Sequence, residues 1–190
     1  MIKIIAGKHK RKNINTPHSM ETRPTSLKLR ESVFNILLHS KYLDDKIENM
    51  EVIDLFAGSG ALGLESLSRG FKFCTFVDNS IESINIIKNN IKILNEEDNT
   101  DLIQGDATTP FFTNKKYDIC FLDPPYELKD ISILINKWAS SGAMKDNTLY
   151  IYEKHKNTPF NSVNDMNIIE KRQYGSSEVI ILKKLSSSTK

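Results

Sequence analysis

The sequence predicts an α/β fold: a doubly wound, mostly parallel sheet with a C-terminal antiparallel hairpin and a small basic N-terminal extension. Three observations carry this prediction. From residue 51 onward, apolar runs of strand length alternate with segments of helical periodicity. The strands are near-continuous apolar runs, as in a parallel sheet covered on both faces. The last two runs, Ile168-Ile169 and Val179-Ile180-Ile181-Leu182, flank Tyr174-Gly175-Ser176-Ser177, which suits a closing hairpin.

The elements follow in order. Ile2 to Ile5 reads as a short strand, followed by a basic, turn-rich stretch to Pro24. Arg23-Pro24-Thr25-Ser26 is a helix-start signal with Thr25 or Ser26 as N-cap. Leu29, Val33, Ile36 and Leu37 then recur at helical spacing, predicting an amphipathic helix that ends near Tyr42. The first strand of the main sheet falls at Glu51 to Phe56, a helix at Gly60 to Arg69 stopped by Gly70, and a strand at Phe71 to Val77. Ser80 caps a helix whose apolar stripe is Ile81, Ile84, Ile87, Ile91 and Leu94. Leu102-Ile103, Tyr117 to Leu122 and Leu149 to Tyr152 complete the parallel strands, with a helix at Ile131 to Ala139. Residues 1–45 read as the basic extension, 46–185 as the main domain and 186–190 as a disordered serine-rich tail.

Composition narrows the function classes. The chain has 190 residues, 39% hydrophobic and 26% charged, with a formal net charge of +2. That excludes disordered and collagen-like classes, and no apolar run approaches the roughly 20 residues of a membrane span. The N-terminus lacks the apolar core of a secretory signal, so a cytoplasmic location is expected. The charge is unevenly placed. Residues 1–30 carry eight basic side chains against the single acid Glu21, leaving a formal −5 for the rest. A basic extension on an acidic body points to a polyanionic partner. Cys74 and Cys120 lie inside apolar runs and read as buried thiols, while the four histidines show no ligand spacing, so no metal is expected.

Two segments carry the chemistry. Asp54-Leu55-Phe56-Ala57-Gly58-Ser59-Gly60-Ala61-Leu62-Gly63 lies at a strand-to-helix turn, where glycines let backbone approach a ligand and the helix offers unpaired N–H groups. Gly58-x-Gly60-x-x-Gly63 matches the dinucleotide fingerprint, and Asp78 follows at a distance that suits ribose hydroxyls. An NAD-dependent oxidoreductase is therefore one reading. Asp54, at the strand end, instead favours a ligand with an ammonium group, such as S-adenosylmethionine, over a pyrophosphate. Asp106 is placed to accept from an adenine amine; Phe56, Asn79 and Ala107 flank these acids and join the candidate cofactor set.

The second segment, Asp123-Pro124-Pro125-Tyr126, follows an apolar strand. An amine attached to a nucleobase is a poor nucleophile because its lone pair is delocalised into the ring. Two acceptors aimed at its hydrogens, the Asp123 carboxylate and the Pro124 carbonyl, favour the pyramidal amine needed for attack. Pro124 and Pro125 hold that carbonyl rigidly, and Tyr126 offers a face on which an extruded base can stack.

Together these segments resemble the class I S-adenosylmethionine-dependent methyltransferases, which have a Rossmann-like fold. More narrowly they resemble the bacterial RsmD family, which methylates N2 of a guanine in 16S ribosomal RNA. Ile4-Ile5-Ala6-Gly7, Arg23-Pro24-Thr25, Leu29 to Leu37 and Tyr174-Gly175 fit the same family, so the similarity spans nearly the whole chain. Arg11 stands where the family usually carries a glycine. The resemblance implies that Asp78 holds the cofactor ribose, Asp106 its adenine and Asp123 the target amine, with Arg23 and Thr25 at the methionine carboxylate. It implies a 16S ribosomal RNA substrate, in the small subunit or an assembly intermediate, and a monomer. Lys8, His9, Lys10, Arg11, Lys12 and Arg30 are the candidate RNA contacts. A nucleic-acid amino-methyltransferase with another base specificity, and an RNA-binding assembly factor with a decayed site, are the other readings.

Overall fold

A computed structural model describes residues 1–17, 27–39, 42–43, 45–125, 128 and 130–185. Arg23, Thr25, Tyr126 and the tail 186–190 lie outside the described residues, so the roles expected of them have no structural counterpart below.

The expected sheet is present. β3 (Glu51–Asp54), β4 (Phe73–Asp78), β5 (Thr100–Gln104), β6 (Tyr117–Leu122), β7 (Met144–His155), β8 (Met166–Tyr174) and β9 (Ser177–Lys184) form one seven-stranded sheet in the order β5-β4-β3-β6-β7-β9-β8. The first five strands are mutually parallel, and β9 runs antiparallel to both β7 and β8. The helices are α1 (Leu27–His39), α2 (Ala61–Arg69), α3 (Ile81–Leu94) and α4 (Ile131–Ser140). Alternate strand residues feed two separate cores, as a sheet covered on both faces requires. Val52, Phe121 and Ile151 face the cluster that holds α1, α2 and α3. Ile53, Cys120 and Tyr150 face the one that holds Leu134 and Trp138 of α4. Among the described residues no helix is long and apolar enough to cross a membrane.

Some elements outrun their sequence signal. β7 extends at both ends beyond Leu149–Tyr152, because its polar ends still pair: Met144 with Tyr117, and Glu153 to His155 with Val179 to Ser177. β8 is an edge strand carrying Glu170, Lys171 and Arg172, and charge on an edge hides a strand from apolar pattern while guarding it from further pairing. The closing turn is tighter than expected, with Tyr174 and Ser177 paired across Gly175-Ser176.

The basic N-terminal stretch folds back on itself. β1 (Ile2–Lys3) pairs antiparallel with β2 (Asn13–Ile14), and Ile4 and Ile14 are buried in the main core. This hairpin is fastened to α2 by polar groups. The buried Glu65 carboxylate accepts the backbone N–H of Ile5 and Ala6 at 2.8 and 3.0 Å, and also Arg69 Nε at 2.7 Å. Lys8 N–H donates to the Ser68 carbonyl at 2.7 Å. Asn90 of α3 accepts Asn15 N–H and donates to the carbonyls of Asn15 and Ser59, joining the hairpin to the glycine turn. At Gly7, φ is +80° and an added Cβ would lie 1.8 Å from the Ser68 oxygen, so only glycine allows this approach.

Two expected RNA contacts are corrected here. Arg30 is 1% exposed; its guanidinium donates to the Lys3 carbonyl at 2.7 Å and lies beside Glu65 and Arg69, so it braces the hairpin from within. His9 is buried with Nε2 against Glu96, which Lys8 Nζ also meets at 2.8 Å. Burial pushes the Glu96 carboxyl up, but bonds from Lys8, Asn99 and His9 outweigh it and hold it below the usual range. Lys10, Arg11 and Lys12 are exposed. Arg11 has φ +70°, the left-handed conformation in which glycine fits without strain.

Gly7→Ala is expected to lower stability by about 2 kcal/mol or more, since backbone on both sides must shift. Urea unfolding checks this; an unchanged midpoint would mean that the hairpin is not seated on α2.

Candidate active site

The parallel strands end at one edge, where a crevice of about 340 Å3 opens. β3 contributes Leu55 and Phe56 at its end, β4 Asp78 and Asn79, the turn after β5 Gly105, Asp106 and Ala107, and β6 Asp123, Pro124 and Pro125. This is where open α/β sheets hold ligands. Every element of the expected cofactor and amine sets that reaches the wall thus does so from the end of a parallel strand.

The glycine turn is bonded to Asp78, and neither Gly58 nor Gly60 is among the described residues that line the crevice. Gly58 and Gly60 have φ of +55° and +77°, and Gly60 N–H closes the turn on the Ala57 carbonyl at 2.6 Å. Asp78 accepts Gly58 N–H at 2.8 Å and Ser80 N–H at 2.9 Å, which fixes its carboxylate against the turn. The third glycine serves packing: an added Cβ at Gly63 would lie 2.2 Å from the Phe76 ring and 2.5 Å from Cys74 Sγ. On the far side, Asp106 is exposed and accepts Thr108 N–H at 2.8 Å; bonds from Thr108 hold its carboxyl below the usual range. Trp138 Nε1 donates to the Ala107 carbonyl at 2.8 Å and anchors that loop to α4.

Asp54 departs from its expected place. It is 2% exposed, beneath the turn rather than on the crevice wall, and accepts Gly63 N–H at 3.3 Å. Burial pushes its carboxyl up to about 7, and the charges of Asp123 and Asp78 push it the same way. Its influence on a ligand is therefore a field from below, not a contact.

Residues that sequence reasoning missed lie at the end of β7. Tyr152, Glu153, Lys154, His155 and Thr158, with Leu128, line a smaller recess that shares Asp123, Pro124 and Pro125 with the main crevice. The available signal was a charged triplet, Glu153-Lys154-His155, closing an otherwise apolar strand. Burial raises the Tyr152 phenol, and the Asp123 charge beside it adds to the shift.

The electrostatics select the ligand's charge. Asp78, Asp106 and Asp123 line the main crevice, Asp54 lies beneath it, and no lysine or arginine is among its described lining residues. A pyrophosphate would be repelled; a cationic sulfonium with an ammonium group fits. Cys74 and Cys120 are buried and free, as expected. Among the described residues no cluster of three or more histidines, cysteines or acids is arranged to hold a metal.

Residues 2–183 match the family described as Conserved hypothetical protein 95. The chain is 36% identical to ribosomal RNA small subunit methyltransferase D of Buchnera aphidicola, covering 82% of this chain and 78% of that one. It is 29% identical to an uncharacterized methylase, RP545, of Rickettsia prowazekii, covering 96% and 98%. The solved structure of Escherichia coli yhhF superposes with a TM-score of 0.80 at 22% identity over 98% of this chain and 99% of that one, which establishes the shared fold.

The raised Asp54 carboxyl makes stability depend on pH. Between the usual carboxylate range and about pH 7 the folded protein keeps a proton that the unfolded chain has released, so this stabilisation falls as pH rises and is gone above pH 7. Asp54→Asn, which keeps an acceptor for Gly63, is expected to remove that slope and exceed the parent at pH 8 by a few kcal/mol at most, on the order set by a three-unit shift. Urea unfolding of both proteins at pH 5 and pH 8 checks this; parallel pH profiles would overturn it.

Proposed function

The chain belongs to the Conserved hypothetical protein 95 family, whose relatives include ribosomal RNA small subunit methyltransferase D, and is a methyltransferase; on that premise we propose that it methylates N2 of a guanine in small-subunit ribosomal RNA. One observation carries the proposal. Asp123, Pro124 and Pro125 line the same crevice as Asp78 and Asp106, so an amine held at Asp123 would face a methyl donor bound there.

S-adenosylmethionine is the cofactor we assign, because the charged residues described in the crevice lining, Asp78, Asp106 and Asp123, are all acids. When bound, it supplies an electrophilic methyl group on a sulfonium sulfur. Asp78 is placed for its ribose hydroxyls, Asp106 for its adenine amine, with Phe56, Asn79 and Ala107 beside them and the Gly58–Gly60 turn beneath. Arg23 and Thr25 are assigned to its carboxylate by family resemblance. Asp123 and the Pro124 carbonyl accept the two hydrogens of N2, which localises the nitrogen lone pair for attack. As the new N–C bond forms, the donor's carbon–sulfur bond would break to leave S-adenosylhomocysteine, and the proton lost from N2 would pass to Asp123 and on to water. Most of the rate gain comes from holding the amine in line at short range.

Ribosomal RNA reaches the site along the N-terminal hairpin. Lys10, Arg11 and Lys12 are exposed on its turn and supply the phosphate contacts, with Lys8 partly committed to Glu96. We assign the protein to the cytoplasm, acting as a monomer on the small subunit or an assembly intermediate.

Incubating ribosomal subunits with a radiolabelled methyl donor and mapping the label tests the function; the label should fall on guanine N2. Asp123→Ala should lower kcat about a hundredfold or more while S-adenosylhomocysteine still binds. Undiminished transfer would remove Asp123 from the mechanism. Reversing the charges of Lys10, Arg11 and Lys12 together should weaken RNA binding and flatten its log–log salt dependence by about two to three, leaving homocysteine-compound affinity unchanged. Equal loss of both affinities would mean that these residues serve folding instead.

A further inference from the structure

The main crevice has a stretch of wall that the cofactor contacts above leave unused. Ser80 and Ser83 line it where α3 begins, so the N-terminus of a 14-residue helix opens onto the crevice. The backbone there is capped from within the protein. Asp78 accepts Ser80 N–H at 2.9 Å, and Ser80 Oγ accepts Ser83 N–H at 3.4 Å.

The Ser83 hydroxyl stands apart from this chain of bonds. A serine inside a helix ordinarily bonds back to the carbonyl four residues earlier, as Ser66 does to Leu62 at 2.9 Å. Ser83 is only 5% exposed, yet its hydroxyl has no hydrogen-bond partner among the described residues. Buried polar groups are almost always paired. A buried hydroxyl on the wall of a crevice of about 340 Å3 finds its partner in what the crevice holds.

The surroundings define that partner. The positive end of the α3 dipole favours an acceptor, to which the hydroxyl donates. Adenine has three ring acceptors, N1, N3 and N7. N1 and N7 flank the N6 amine, which is assigned to Asp106 across the crevice. N3 lies farthest from the amine, on the edge beside the ribose. The ribose is assigned to Asp78, which is one hydrogen bond from Ser80 and two from Ser83.

We propose that Ser83 donates its hydroxyl to N3 of the cofactor's adenine and so helps to select that base. This rests on the reading of the crevice as an S-adenosylmethionine site and adds a contact to it.

Calorimetry with S-adenosylhomocysteine and its 3-deaza analogue, in which C–H replaces N3, tests the contact. The parent protein should bind the 3-deaza compound about tenfold more weakly, the worth of one hydrogen bond. Ser83→Ala should lose about tenfold in affinity for S-adenosylhomocysteine and bind the two compounds within about twofold of each other. Equal affinity of the parent for both compounds overturns the proposal without any variant having to fold. A folded Ser83→Ala that keeps the parent's preference overturns it too, since another donor would then read N3. A parent that binds neither compound overturns the cofactor reading instead, so the first titration tells the two failures apart.

Discussion

The site depends on one close approach: α2 lies so near β4 that no side chain fits between them at Gly63. That contact sets the height of the helix N-terminus and of the turn that leads into it. With the turn held low, Gly58 N–H reaches Asp78 and Gly63 N–H reaches Asp54, so two acids from adjacent strands are tied to one loop. Asn90 of α3 then fastens the same loop through the Ser59 carbonyl and reaches the N-terminal hairpin. A bulkier residue at position 63 would lift the loop and loosen all of these bonds together. The crevice is thus a product of helix–strand packing, with the glycines supplying the room.

Charge is arranged with equal economy. Acids gather at the ends of parallel strands, where they face or underlie a ligand, and bases gather on a hairpin beyond α2. Two buried carboxylates keep the halves in contact: Glu65 holds the hairpin's main chain, and Glu96 holds Lys8 and His9. Each is satisfied by several donors, as an ionised group in a low-dielectric interior must be. The opposite signs meet only where hydrogen bonds compensate them. Solvent therefore sees a basic turn and an acidic crevice on one small molecule.

Much of this was legible in the sequence. Tyr117–Leu122 is buried throughout as its apolar run implied, Ile87, Ile91 and Leu94 of the expected α3 stripe are buried while Ile81 is exposed, and Ser80 caps α3 by accepting Ser83 N–H. The ends of β4, β5 and β6 also bring Asp78, Asp106 and Asp123 around one crevice. What local pattern could not reveal were long-range commitments. Arg30 and Lys3, or Ile5 and Glu65, are far apart in sequence, so a buried bracing arginine reads like any basic surface residue. Asp54 is similar: its position at a strand end was clear, yet its burial depends on α2 closing over it. β2 is only two residues long, and β8 carries charges on an edge; neither offers a periodic signal to detect. The recess at the end of β7 went unread because its lining joins that strand's end to the loop after β6, about 30 residues earlier in the chain.

The way the hairpin is held has a further consequence. Its bonds to α2 use backbone N–H groups of Ile5, Ala6, Lys8 and His9, with the helix supplying the acceptors. Side chains at the tip, residues 10–12, take no part in that attachment beyond the strain at Arg11. The turn can therefore accumulate substitutions, changing its charge and its reach, while the machinery behind it stays fixed. A lineage that adapts to an altered RNA substrate would have a place to vary that is mechanically insulated from the place it must preserve.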